Sequence, residues 1–185
     1  NVALTKRNGV PMCGVPYHAA EGYLAKLVKA GKRVALCDQV GEPKPGKIVE
    51  REVVQIVSPG TVADLNLLES NRNHFLAAAH VLKQSGKERI GLAHVDLTTG
   101  EFRLTELPDR RALADEIARI APAEVLVSDE HPDAFPGLAG LQPHDGYAFL
   151  PEHSGFALTE HFRVQSLDGY GCAHLAAGIC AAGAI

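Results

Sequence analysis

Several familiar signatures are missing from these 185 residues, and each absence narrows the reading. No apolar run approaches the roughly 20 residues that a bilayer-spanning helix needs, so no membrane partner is expected. The chain opens Asn1-Val-Ala-Leu-Thr-Lys-Arg7, with neither an initiator Met nor the apolar stretch of a signal peptide. It reads as a segment cut from a longer protein. Cys13, Cys37, Cys172 and Cys180 form no C-x-x-C pair, which argues against a zinc site. Without a secretory signal, reduced thiols in a cytosol are expected. Cys37 and Cys180 stand in apolar runs and read as small buried hydrophobes. The nine histidines are scattered, with no H-x-x-x-H on an expected helix. They read as surface or part-buried residues rather than metal ligands. No G-x-S-x-G elbow occurs, and there is no internal repeat or low-complexity tract.

What is present is globular: 46% hydrophobic and 22% charged residues, enough chain for one large domain or two small ones. The net charge of −4 is uneven. Through Asp64, nine Lys and Arg face six acids, which leaves +3 there and −7 over the remainder. Such a split suggests two modules with different partners. The basic half suits phosphates or is simply a solvated surface. The acidic half is ill-suited to a duplex.

Val2 to Thr5 reads as extended chain, followed by a Gly9–Pro11 turn and a tight Pro/Gly loop carrying Met12 at its tip. A helix is expected from near His18, with Glu21 three residues on as a capping box. Its apolar stripe is Tyr23, Leu24, Leu27 and Val28, and Gly31 ends it. Strands follow at 33–40 and 50–57, separated by a loop at 41–46. Residues 62–72 form a connector with one possible helical turn at 64–70. A meander of three strands is expected at 75–82, 89–97 and 101–105. A helix from Pro108-Asp109 to about Ile120 then leads to a parallel strand at 124–128, an α/β arrangement. Residues 129–146 read as loop, 147–151 as another strand, 155–162 as a short helix, and 169–185 as a tightly packed helix.

Three places invite chemistry. Gly41-Glu-Pro-Lys-Pro-Gly-Lys47-Ile48 nearly fits a P-loop. However, Ile48 has no hydroxyl for magnesium, Pro43 and Pro45 lack the N–H groups that cradle phosphate, and a strand follows instead of a helix. A basic surface loop is the better reading. Asp96 ends a strand where a metal-binding carboxylate of a ribonuclease-H-like nuclease would stand. The supporting acids are only Glu101, Asp129 and Glu130, and a turn-forming role accepting N–H bonds from Thr98 to Gly100 fits better. The third place is the basic first half. Lys6, Arg7 and Arg51 flank strands and can neutralise phosphates. Met12 is an apolar loop residue able to press on a minor groove, or an ordinary core filler.

Three ordered blocks in the first half, Gly14-Val-Pro-Tyr-His18, Cys37-Asp-Gln-Val-Gly41 and Val57-Ser-Pro-Gly-Thr61, resemble the mismatch-binding domain of the MutS family of DNA mismatch repair proteins. From Phe75 onward, Asp96-Leu-Thr-Thr-Gly-Glu-Phe102, Ala121-Pro-Ala-Glu-Val-Leu126 and Gly169-Tyr-Gly-Cys172 resemble that family's connector domain. The resemblance implies an α/β fold: a truncated mixed α/β mismatch-binding lobe at 1–62, a linker at 63–73, and a ribonuclease-H-like, non-catalytic connector at 74–185. It implies DNA contacts at Thr5, Lys6, Arg7, Pro11, Met12, Tyr17, His18 and Arg51. The partners it implies are mismatched double-stranded DNA, a MutL-type protein met through the connector, and a second copy of the parent chain. No cofactor is implied for this segment, since ATP and magnesium belong to an ATPase domain elsewhere in the parent, and the location implied is cytoplasmic. The family's Phe-x-Glu wedge lies upstream of the Leu4-Thr-Lys-Arg7 word, and this chain has no Phe before Phe75. The expectation is therefore duplex binding without catalysis. The alternative is a metal-dependent nuclease with a nucleic-acid-binding lobe, and a third reading is a pure protein-interaction module.

Overall fold

The computed structural model of the chain describes residues 4–41, 49–61, 73–84 and 86–185, with the side chains of Arg7 and Gln84 left aside. The expected helical turn at 64–70, most of the loop at 41–46 and the P-loop look-alike fall outside these residues. The chain divides into two compact units, Asn1–Val62 and Ala63–Ile185.

Among its described residues the first unit holds two small antiparallel sheets and one α-helix. Strands β1 (Leu4–Arg7) and β2 (Val10–Cys13) form a hairpin. This corrects the expected loop: Met12 lies in a strand opposite Thr5, not at a loop tip. The cause is the Asn8-Gly9 pair. Both residues take left-handed φ values, 52° and 80°, as the two-residue turn that matches strand twist requires. A 3₁₀ turn at Tyr17–Ala19 leads into α1 (Ala20–Lys29). The expected His18 cap is absent, because His18 sits inside the 3₁₀ turn and no side chain caps α1. At the other end Gly31 (φ 74°) closes the helix, its N–H donating to the Val28 carbonyl and the Lys32 N–H to that of Leu27. A left-handed glycine makes this closure possible. Strands β3 (Val34–Val40) and β4 (Glu50–Val57) then pair, with a register shift after Leu36. Val28 and Val57 are the buried apolar side chains of this unit among the described residues. Cys37, expected inside, is exposed, because β3 belongs to a two-stranded ribbon and only one side of it is covered.

The second unit is a five-stranded mixed sheet between helices. Strands β5 (Phe75–Gln84), β6 (Lys87–Asp96) and β7 (Phe102–Leu107) form the expected antiparallel meander. Helix α2 (Arg110–Ile120) leads to β8 (Glu124–Ser128), parallel to β5. A fifth strand, β9 (Leu141–His144), lies parallel to β8. The resulting order β7-β6-β5-β8-β9 is the ribonuclease-H-like arrangement.

Side chains alternate across a sheet, and both faces here are buried. Ala77, Ala79, Ile90, Leu92, Val125 and Val127 face Leu113 and Ile120 of α2. Leu76, Ala78, Ala93 and Leu126 face Phe149, Leu158, Ala181 and Ala182 on the other side. Each large aliphatic side chain fully buried in this way contributes about 1.5–3 kcal/mol. Asp109 caps α2 by accepting from the Ala112 N–H at 2.8 Å. Ala121, left-handed at φ 50°, ends the helix just before Pro122.

Three expectations change in this unit. Residues 129–146 include β9, hidden in the sequence by its Pro143. Residues 147–151 are not a strand, because a 3₁₀ turn at Gly146–Phe149 runs into α3 (Pro151–Phe162). The last helix, α4, is only Ala176–Ala182, preceded by a 3₁₀ turn at Asp168–Tyr170. The glycines at 169 and 171 favour a turn there over a helix.

Candidate nucleic-acid interface

The hairpin brings five of the expected contact residues, Thr5, Lys6, Arg7, Pro11 and Met12, together. Thr5 stands directly opposite Met12 and Lys6 opposite Pro11. Directly opposed residues project to the same side of a sheet, so Thr5, Val10 and Met12 share one face while Leu4, Lys6, Pro11 and Cys13 share the other. The Thr5 hydroxyl donates to the Met12 carbonyl at 3.0 Å, which ties the two strands at that pair. Arg7 pairs through its backbone with Val10 at the turn end. Lys6 and Pro11 are exposed, and Met12 is 39% exposed. As a surface residue Met12 is no core filler. Val10, at 64% exposure, is an apolar residue on the same face that sequence reading placed in a turn. The Asn8-Gly9 hairpin signal would have found it.

Tyr17 and His18 sit on the 3₁₀ turn that follows the loop of Gly14 and Pro16, outside either small sheet. Tyr17 is 97% exposed, an aromatic ring turned out into solvent. Arg51 is on the second ribbon, opposite Gln39. It is exposed and, among the described residues, in no ion pair. A pure protein-interaction module would be favoured by Arg51 buried in an internal pair, and Arg51 is exposed.

Asp96 presents a different picture. It is buried at the end of β6, with 1% exposure. One carboxylate oxygen accepts from the His74 N–H at 3.1 Å, the Thr98 N–H at 3.0 Å and the Thr98 hydroxyl at 2.7 Å. The other accepts from the Thr99 hydroxyl at 3.1 Å. The main-chain carbonyl of Asp96 closes the turn by accepting from the Gly100 N–H at 2.8 Å. Burial alone pushes the Asp96 carboxyl up, but the donors from Thr98, His74 and Thr99 outweigh it and hold the group below its ordinary value of 3.8. A carboxylate so engaged organises a turn. Glu101 is exposed and pairs with Arg103 instead, and among the described residues no three His, Cys, Asp or Glu side chains are grouped to hold a metal.

Two histidines of the sheet sit partly inside. His80 stacks on Phe149, ring centroids 5.4 Å apart. Burial, and then the nearby His131, lowers its pKa below 6.5. His94 meets Phe75 edge-on at 5.5 Å. Burial lowers its pKa too, helped by Arg103 and Arg119 and opposed by Glu116 and Glu101. Among the described residues no helix is long and apolar enough to cross a membrane.

The family model described as MutS domain I matches residues 1–66, and that described as MutS domain II matches residues 74–185. The chain belongs to the MutS family. A DNA mismatch repair protein MutS from Syntrophobacter fumaroxidans (strain DSM 10017 / MPOB) is 46% identical over an alignment of 196 residues, which covers 100% of this chain and 22% of the relative. Another, from Solibacter usitatus (strain Ellin6076), is 44% identical over 186 residues, covering 97% of this chain and 21% of the relative. The chain thus spans about a fifth of the length of these MutS relatives. The mismatch-recognition and connector domains of a mismatch repair protein account for the two units.

Proposed function

We propose that this chain is the part of a MutS protein that grips a mispaired or looped duplex and passes that state to a partner. The carrying observation is that a segment matching MutS domain I presents Thr5, Lys6, Pro11, Met12, Tyr17, His18 and Arg51 to solvent in one unit. Thr5, Lys6, Arg7 and Arg51 contact the sugar-phosphate backbone and set position rather than read sequence. Pro11, Met12, Tyr17 and His18 lie toward the minor groove, where apolar side chains favour a widened, bent step. Bending at a mispair costs less than bending stacked duplex, so deformability itself supports recognition. The connector is a rigid spacer that docks a MutL-type protein. The ATPase, with its ATP and magnesium, and the dimer contacts belong to other parts of the parent, which acts in the cytoplasm. This chain performs no catalytic step of its own.

Fluorescence anisotropy with matched and G·T-mismatched duplexes tests the reading. Binding that weakens steeply with salt and falls in the Arg7→Ala, Arg51→Ala double variant supports it. Removing both guanidinium groups from the phosphates should lower the log–log salt slope by about two. A folded chain that binds neither duplex at low salt refutes it.

A further inference from the structure

The β3–β4 ribbon has two chemically different sides, and a single extra residue decides which one carries Arg51. Val34, Leu36, Asp38 and Val40 face the same way as their partners Val57, Gln55, Glu52 and Glu50. On that side Val34 and Leu36 are half-buried and Val57 is buried, and β3 packs against α1. The opposite side carries Ala35, Cys37 and Gln39 with Ile56, Val53 and Arg51, all of them exposed. Every acid of the two strands, Asp38, Glu50 and Glu52, falls on the first side. The open side has no acid, one guanidinium, one carboxamide, the Cys37 thiol and the apolar Ala35, Val53 and Ile56, the last two each 53% exposed.

The register shift between Leu36 and Cys37 leaves Val54 without a partner. A bulge of this kind turns the following side chains to the other face. With the register of Val34–Leu36 continued, Gln39 would oppose Glu52, and Arg51 would oppose Val40 on the side of Asp38. The shift instead sets Arg51 opposite Gln39, on the side away from Asp38; Glu50 and Glu52, its neighbours in β4, alternate to the other side of Arg51 in either register.

We infer that the open side of this ribbon is a duplex-backbone contact surface on which Gln39 is a second phosphate-contacting residue beside Arg51, placed there by the Val54 bulge. This rests on the duplex-binding reading of Arg51. The Gln39 amide donates an N–H to one phosphate oxygen while Arg51 supplies the charge at the neighbouring one. Val53 and Ile56 lie along the deoxyribose edge.

The test uses the 185-residue chain and a fluorescein-labelled G·T duplex, with affinity measured from about 50 to about 200 mM salt and folding of each variant checked by circular dichroism. Gln39→Glu sets a carboxylate directly across from Arg51, engages the guanidinium and repels phosphate. It is expected to weaken binding about tenfold or more, at least as much as Arg51→Ala, with the salt slope reduced by about one. Gln39→Lys is expected to tighten binding and steepen the slope by about one. Glu52→Gln, on the other side, stays within about twofold at moderate salt, where charges beyond about 10 Å are screened. If both Gln39 variants match the unaltered chain while Arg51→Ala weakens it, the inference falls and the Arg51 reading stands. If Arg51→Ala has no effect in a chain that binds, this face is wrong. If the folded chain does not bind at low salt, the duplex reading fails and takes the inference with it.

Discussion

Gly91→Ala should be among the most damaging single substitutions in the connector, although glycine to alanine inside a strand ordinarily gains about 0.5–1 kcal/mol. Gly91 lies in β6 beneath α4. A Cβ built there would meet the Ala177 carbonyl oxygen at 1.9 Å and the Gly178 nitrogen at 2.6 Å. An ordinary carbon–oxygen contact is about 3.3 Å, so α4 would have to lift by roughly 1.4 Å. The obstacle is helix backbone, which cannot rotate away as a side chain can. Lifting α4 also loosens Ala177, Cys180, Ala181 and Ala182, all at 0–2% exposure. Overpacking commonly costs about 1–3 kcal/mol; with the helix displaced the expected loss is about 4–5 kcal/mol, a large share of the 5–15 kcal/mol of a typical domain. Gly178→Ala is the control. Its Cβ would meet the far end of Leu104 at 2.9 Å, a side chain able to give way, and the Thr105 carbonyl oxygen at 3.1 Å, a backbone contact tight by only a few tenths of an ångström, and about 1–2 kcal/mol is expected. Urea unfolding followed by far-ultraviolet circular dichroism measures both. A loss below about 1 kcal/mol for Gly91→Ala, or the reverse ranking, would refute the close approach of α4 to β6.

Other consequences can be checked in the same way. Asp96→Ala leaves the N–H groups of His74 and Thr98 without their acceptor and should cost about 2–4 kcal/mol in urea titrations. Because the folded Asp96 carboxyl is held below 3.8, its contribution is complete above that ordinary value and is lost as the pH falls through the lower folded one. Asp96→Asn should flatten that part of the stability–pH curve. The His80 pKa is lowered from 6.5 by burial and then by His131, so the folded state favours the neutral ring. Stability is complete above 6.5 and declines as the pH falls from there through the lowered value, and His80→Phe should remove this decline from urea midpoints. Cys13 and Cys37 are exposed and Cys180 is buried, with the Cys180 thiol pushed up to about 11 by burial first of all. A thiol reagent at mildly alkaline pH should label the first two quickly and Cys180 only after denaturant is added; early labelling of Cys180 would contradict the packing of α4.

Much of the connector was legible in the sequence. Leu113, Ile117 and Ile120 recur at helical spacing, Asp109 is a good cap, and Glu124–Ser128 is a short β-branched run between turn signals. The turn-forming role of Asp96 was legible as well, though of the expected N–H donors at 98–100 the carboxylate accepts only that of Thr98, the Thr98 and Thr99 hydroxyls and the distant His74 N–H supplying the rest. The hairpin at Asn8-Gly9 was legible in principle. Its Pro11, read as part of a turn, sits comfortably in a short exposed strand. Strand β9 was not legible. Leu141-Gln-Pro-His144 has no strand pattern of its own, and its pairing with β8 alone makes it a strand.

The sequence by itself determined the family, the two-part charge split and the main elements of the connector, since these rest on local order, spacing and composition. Only the tertiary structure decided which residues face one another. It placed Met12 on a paired strand, exposed Cys37, closed Gly91 onto α4, and through one unpaired residue at Val54 set Arg51 opposite Gln39, on the side away from Asp38. A strand's pattern has a period of two, so one inserted residue reverses the side every later residue takes. That parity is set by the partner strand, which no stretch of local sequence contains.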